Sequence, residues 1–248
     1  MPVDFLPHFV IIPSEISSPI PLLGVKVWKG DFETPFLVGR GVGFFIDWFN
    51  GGDEVNLNFL GDALDHWKGS LISILSSKWL IRNVVVEPMI TDERPWSKHD
   101  LDTYRRLLRL ESASQICHGQ STFSGKREEY FDEIPQEVDV FLDPDTGIAT
   151  DKGNRKHVKV SELGNLLAKS DRVLMIYQHS ARGSFCKWLL EIKKGVSYGI
   201  PGVHCTIYEC GRVALFFISL SKARIHEIQN ALKEYLKGTA DKRVWGDN

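Results

Sequence analysis

The sequence predicts an α/β protein built on a doubly wound, mostly parallel seven-stranded sheet with a C-terminal antiparallel hairpin. Short apolar runs alternate with stretches of helical periodicity, which is the pattern of strand–helix–strand units. Two late strand-like runs are joined by Cys210-Gly211, a tight-turn signal. The 248 residues, 43% hydrophobic and 25% charged, are typical of a globular protein and exclude disordered and collagen-like classes.

The strands are predicted from short runs of apolar, often β-branched residues that end at a polar residue, a proline or a glycine. The clearest stop is Glu87-Pro88, because a proline cannot continue a central strand and so fixes where the preceding carboxylate emerges. The predicted strands are residues 42–46, 83–86, 114–117, 138–142, 172–177, 204–208 and 213–219.

The helices are predicted from apolar residues that recur every three or four positions. In residues 60–79 this stripe consists of Leu64, Trp67, Leu71, Leu75 and Trp79. The other predicted helices are residues 99–109, 160–167, 185–194 and 222–236.

We divide the chain into an N-terminal irregular arm, residues 1–29, and a single α/β domain, residues 30–248. The arm is predicted from its prolines, among them Pro7, Pro13, Pro19 and Pro21, and its serines, which favour irregular or edge-strand structure. Beyond it, no linker is long enough to separate two domains.

The sequence predicts a soluble, cytoplasmic protein without a membrane partner. No apolar run approaches the ~20 residues that a membrane helix needs. The first residues lack the basic start and unbroken apolar stretch of a signal peptide. Four cysteines in a chain of this size favour a reducing compartment over a disulfide scaffold.

Polar residues stand where the predicted parallel strands end. Asp47, Glu87 and Asp143 follow three of these strands, and Gln178-His179 ends a fourth. In open α/β sheets, ligands bind outside the carboxyl ends of the strands, so this edge is the candidate site. Each acid alone could instead cap a helix. His179 could be a general base, a residue that recognises the substrate by hydrogen bonding, or a helix cap.

These residues resemble the motifs of class I S-adenosylmethionine-dependent methyltransferases, whose sheet is Rossmann-like. Asp47-Trp48-Phe49-Asn50-Gly51-Gly52 is similar to the first motif, an acid followed by a glycine-rich loop. Asp143-Pro144-Asp145 is similar to the fourth motif of amino-group methyltransferases, with Asp145 in place of its second proline. Gly30-Asp31 is faintly similar to an element of ribosomal-RNA adenine methyltransferases of the large subunit.

The resemblance implies a cofactor, S-adenosylmethionine, and a division of roles. Asp47, Gly51 and Gly52 would approach the cofactor, and Glu87 would bind its ribose. Asp143, Asp145 and His179 would face the substrate as the candidate catalytic residues.

A nucleic-acid substrate is predicted from basic residues near the Asp143 loop, although the formal net charge is −2. DNA or RNA would contact Lys152, Arg155, Lys156, Lys159 and Arg182.

Two alternatives to a methyltransferase stay open. Pro144-Asp145 followed by Glu191-Ile192-Lys193 imitates the Pro-Asp…Glu-x-Lys pattern of Mg²⁺-dependent nucleases, although residues 185–194 have helical periodicity. The second alternative is a non-catalytic module of the same fold that binds a nucleotide or nucleic acid. No spacing of histidines and cysteines predicts a zinc site.

Overall fold

The fold is described by a computed structural model, in residues 60–91, 96–119, 121, 123, 127–149, 153–180, 183–238 and 241–246. The helices are α1 (Ala63–Ser77), α2 (Lys98–Leu107), α3 (Arg127–Asp132), α4 (Val160–Ala168), α5 (Phe185–Gly199) and α6 (Lys222–Tyr235). The strands are β1 (Val85–Glu87), β2 (Val140–Leu142), β3 (Gly147–Ala149), β4 (His157–Lys159), β5 (Leu174–His179), β6 (His204–Cys210), β7 (Val213–Ser219) and β8 (Val244–Gly246).

The main sheet is mixed and has six strands in the order β1-β2-β5-β7-β6-β8. The pairs β1–β2 and β2–β5 are parallel. The pairs β5–β7, β7–β6 and β6–β8 are antiparallel. Strands β3 and β4 form a separate parallel pair. The predicted hairpin is present as β6 and β7, and β7 lies between β5 and β6.

The α/β class is correct, but the prediction of a mostly parallel, seven-stranded Rossmann-like sheet is wrong. Three of the five ladders in the main sheet are antiparallel, because β7 pairs with β5 and β8 adds to the far side of β6. The predicted strand at 114–117 is a 3₁₀ turn, Ala113–Gln115, followed by a single bridge from Ile116 to Val86. The predicted strand at 42–46 and the arm at 1–29 lie outside the described residues.

Helices cover both faces of the main sheet. One core packs α3, α4 and α5 against a face that carries Val140, Leu142, Leu174 and Ile176. The other core packs α1, α2 and α6 against the opposite face. The central strands are buried on both sides, which is why their sequences are continuous apolar runs rather than alternating ones.

Side-chain caps fix where the helices of the second face begin. The Asp62 carboxylate accepts hydrogen bonds from the backbone N–H of Leu64 at 2.7 Å and of Asp65 at 3.1 Å, so α1 starts at that point. Ser97 and Asp100 form a capping box at the start of α2. The first cap sets the position of Lys68, which lies six residues after Asp62 in α1.

Among the described residues, no helix combines the length and the apolar character needed to cross a membrane. The four cysteines are free thiols.

Candidate functional site

The ends of the parallel strands β1, β2 and β5 meet at one edge of the sheet, which we call the carboxyl edge. The N–H of Asp143 donates to the carbonyl of Glu87 at 3.0 Å, just beyond the β1–β2 ladder. The N–H of His179 donates to the carbonyl of Thr146 at 3.3 Å. The three predicted strand ends are therefore neighbours through their backbones.

The side chains of Glu87 and Asp143 point to opposite faces of the sheet. Glu87 pairs in register with Leu142, and successive side chains of a strand alternate between faces. Glu87 contacts Tyr130 in the core of the first face, whereas Asp143 contacts Tyr104 in the core of the second. The carboxyl edge therefore carries two separate polar clusters.

The cluster on the second face is centred on Asp143 and Lys68. One carboxylate oxygen of Asp143, Oδ2, accepts from Lys68 Nζ at 2.9 Å and from the Tyr104 hydroxyl at 2.6 Å. Lys68 also donates to Asp65 Oδ1 at 3.2 Å. Burial alone would lower the pKa of Lys68, but Asp143 and Asp65 outweigh it and raise that pKa. Lys68 is therefore a buried ammonium at neutral pH.

Two aromatic rings of β5 complete this cluster. Lys68 Nζ lies 4.1 Å from the centroid of the Tyr177 ring, a cation–π contact. The Tyr177 ring also packs edge-to-face on His179, with centroids 4.7 Å apart. Burial, and next the Lys68 charge, lower the pKa of His179, so its imidazole is neutral at pH 7. A neutral imidazole at this edge is able to accept a proton.

The cluster on the first face is closed around Glu87, which is fully buried. Its carboxylate accepts from the Met89 N–H at 2.9 Å and from the Tyr130 hydroxyl, and it bonds His118 Nδ1 at 2.6 Å. The other ring nitrogen of His118 lies 2.9 Å from Glu133 Oε2. A ribose could bind Glu87 only by displacing one of these partners.

The stability of the fold should depend on the protonation of His118. The hydrogen bond to Glu87 is the main cause that raises the pKa of His118 above its ordinary value of 6.5. The imidazolium therefore stabilises the fold fully below that value, and the stabilisation is lost as the pH rises through the pKa in the folded protein. We expect the free energy of unfolding of the wild type to fall over this range relative to that of His118→Gln.

Urea unfolding of both proteins between about pH 5.5 and 8.5 measures this difference. The matched control is His226→Gln, an exposed histidine of α6 whose ring contacts Asn230 of the same helix. Identical pH dependence in the wild type and His118→Gln would contradict the expectation.

The loop after β2, residues 143–147, is fixed by Gln178, which is fully buried in β5. Its amide oxygen accepts from the Ile148 N–H at 2.8 Å, and its amide nitrogen donates to the Thr146 carbonyl at 2.7 Å. Asp145, in the same loop, accepts from the Thr91 hydroxyl. The loops after β1 and β2 are therefore linked by side chains as well as by backbone.

The predicted site residues fall into three groups. Asp143, Asp145 and His179 lie at the carboxyl edge, and Glu87 lies there on the other face. The basic residues Arg155, Lys156 and Lys159 lie at the β3–β4 pair, where Arg155 is exposed and the others are half-buried. Asp47, Gly51, Gly52, Lys152 and Arg182 lie outside the described residues.

The tripeptide considered for a nuclease lies in a helix. Glu191 is exposed and Lys193 half-buried in α5, rather than on a strand beside Asp145. Within the described part of the chain, no group of three histidine, cysteine or carboxylate side chains is placed to hold a metal ion.

Lys68, Tyr104, His118 and Tyr130 belong to these clusters but are not among the site residues that the sequence predicts. For Lys68 a signal was present: it lies one turn after Leu64 and one turn before Ile72, on the apolar stripe of α1. A lysine there must be buried with a partner. The other three have no such signal, because their roles depend on contacts between elements distant in sequence.

No protein-family model matches the sequence, and comparisons with curated proteins and with solved structures also give no match.

Proposed function

We propose that the chain binds S-adenosylmethionine at the carboxyl edge, with the sulfonium beside Asp143, and acts as a methyltransferase-like protein. The supporting observation is the state of the Asp143 carboxylate. Lys68 and Tyr104 both bond Oδ2, so among the described residues Oδ1 has no partner. The side chain is 12% exposed and can be reached by a ligand at the edge.

The charge of this cluster favours a cationic ligand over a phosphate. Asp65 and Asp143 carry two negative charges against the single ammonium of Lys68. A sulfonium is attracted to such a surrounding, whereas a nucleotide phosphate or a phosphodiester is repelled by it. When bound, S-adenosylmethionine supplies an electrophilic methyl group. The neutral imidazole of His179 would accept the proton that a substrate amine or hydroxyl loses.

We assign the remaining roles as the sequence predicts them. Glu87 would bind the ribose of the cofactor by exchanging one of its present partners, and Asp145 would face the substrate. The roles predicted for Asp47, Gly51 and Gly52 stay predictions, because these residues lie outside the described part of the chain. A cytoplasmic location is part of the proposal, and the free thiols support it.

We propose nucleic acid as the substrate, with Arg155, Lys156 and Lys159 as phosphate contacts. The supporting observation is that these basic residues lie close to the loop after β2, residues 143–147. The N–H of Thr146, next to Asp145, donates to the Lys156 carbonyl at 3.1 Å. A phosphate backbone bound by these side chains would bring a base to the carboxyl edge.

Calorimetric titration tests the cofactor. We expect the wild type to bind S-adenosylmethionine more tightly than S-adenosylhomocysteine, which lacks the sulfonium charge. Asp143→Asn should weaken the binding of S-adenosylmethionine about tenfold, because it removes a charged contact. The matched control is Asp171→Asn, an exposed carboxylate beside Arg82 at the other end of β5, with no expected effect. Circular dichroism checks that each variant is folded.

No heat with either ligand in the folded wild type would overturn the proposal. If the cofactor binds, an assay of labelled methyl transfer to DNA and RNA distinguishes a methyltransferase from a non-catalytic binding module. Binding without methyl transfer favours the module. Mg²⁺-dependent nicking of plasmid that is lost in Asp145→Ala would favour the nuclease instead.

A further inference from the structure

The ammonium of Lys68 occupies a complete set of cation-binding groups. It lies 2.9 Å from Asp143 Oδ2, 3.2 Å from Asp65 Oδ1 and 4.1 Å from the centroid of the Tyr177 ring. We call Asp65, Asp143 and the face of Tyr177 the Lys68 cage. Two carboxylates and one aromatic face are the groups that bind organic cations in proteins.

A second observation points to a ligand at this cage. Tyr177 is only 2% exposed, and its hydroxyl has no hydrogen-bond partner within the described residues. Burial, and next the charge of Asp143, raise the pKa of this hydroxyl, so it stays protonated as an unused donor. The oxygen of this hydroxyl can also accept a hydrogen bond, so an ammonium ligand that donates an N–H to it lowers the cost of burying the group without a partner.

The two carboxylates require a cation between them. Burial raises the pKa of Asp65, the Asp143 charge raises it further, and the Lys68 ammonium lowers it. Without the ammonium, Asp65 and Asp143 would be two like charges in a buried place. A cation other than Lys68 satisfies the same requirement.

We propose that the Lys68 cage is a binding site for a small organic cation, an ammonium or a sulfonium, and that Lys68 fills it as an internal ligand in the free protein. The assignment of the sulfonium of S-adenosylmethionine as that cation rests on the proposed function, in which the sulfonium lies beside Asp143, and adds that the sulfonium displaces Lys68 from this carboxylate. A cationic ligand replaces the Lys68 ammonium, so Lys68 limits the affinity of the site. Anionic ligands are excluded by the two carboxylates.

The test removes the lysine side chain with Lys68→Ala and adds ethylammonium or trimethylsulfonium as a replacement cation. We expect the variant to melt at a lower temperature than the wild type. Either cation should raise its Tm saturably, by about 3 °C, while ethanol and sodium chloride at equal concentration should not. The effect should vanish in Lys68→Ala combined with Asp143→Asn, and it should be absent in Lys233→Ala, an exposed lysine of α6.

Stabilisation that is equal for ethanol and ethylammonium, or none at all, would overturn the proposal. Should Lys68→Ala fail to fold, ¹³C-lysine NMR of the wild type decides, with Lys68→Arg used to assign the signal. A saturable shift of the Lys68 resonance on addition of trimethylsulfonium supports the cage, and a shift no larger than that caused by sodium chloride refutes it. Cation rescue without affinity for S-adenosylmethionine would refute the proposed function alone, and the converse result would refute the cage alone.

Discussion

Gly69→Ala is expected to destabilise the protein by about 3 kcal/mol, a large part of the stability of a typical domain. A Cβ at position 69 of α1 would lie 2.0 Å from the carbonyl oxygen of Leu107 and 2.9 Å from the Cα of Leu108, at the end of α2. Both neighbours are backbone atoms, so one of the helices would have to move. The loss can be measured as the free energy of unfolding in urea.

The matched control is Gly164→Ala in α4. There the nearest atom to an added Cβ is Ile200 Cγ1 at 3.5 Å, an ordinary contact. Alanine is the better helix former, so this substitution should leave the stability unchanged or raise it by up to about 1 kcal/mol. Equal effects of the two substitutions would show that α1 and α2 are not in close contact at Gly69.

Gly147→Ala is expected to cost about 3 kcal/mol as well, and to weaken ligand binding at the carboxyl edge. Gly147 has φ +116°, a conformation that residues with a side chain rarely adopt. An added Cβ would also lie 2.0 Å from Nε2 of Gln178, the residue that fixes the loop after β2. Displacing Gln178 releases this loop, and with it the position of Asp143 and Asp145.

Gly202→Ala is the control that distinguishes backbone strain from the steric overlap of the added Cβ with Gln178. Gly202 has φ +76° and nothing within 4 Å of an added Cβ, so its substitution should cost only about 1 kcal/mol. Urea unfolding and calorimetric titration of both variants give the two effects. A Gly147→Ala protein as stable as Gly202→Ala, with unchanged binding, would mean that Gln178 does not fix the loop.

Much of the fold could be predicted because local patterns determine it. Helix α1 and strand β7 form where the periodicity and the apolar runs indicate. Strands β3, β4 and β8 were missed, since they lack the run of large apolar residues that marks the equally short β1 and β2. The predicted strand arrangement was wrong because the pairing of β7 with β5 depends on contacts between residues distant in sequence, which no local pattern encodes.

The site could be predicted only as far as the strand ends. Glu87 ends β1 and Asp143 follows the parallel neighbour β2, and the backbones of the two residues are hydrogen-bonded. Whether two such side chains share a face depends on the register, and a difference of one residue separates them. Here Glu87 pairs with Leu142 rather than with Asp143, so the polar side chains at this edge form two clusters on opposite faces.

Because the sheet separates these two clusters, a substitution in one leaves the side-chain hydrogen bonds of the other in place. Within the described residues, the two carboxylates share no side-chain hydrogen-bond partner, and the N–H of Asp143 bonds the carbonyl of Glu87, a contact that most residue pairs could make. One cluster can therefore acquire or lose a chemical role while the other keeps its side chains. Double substitutions that combine His118 with Lys68 should accordingly show additive free energies, and a coupling of more than about 0.5 kcal/mol would contradict this independence.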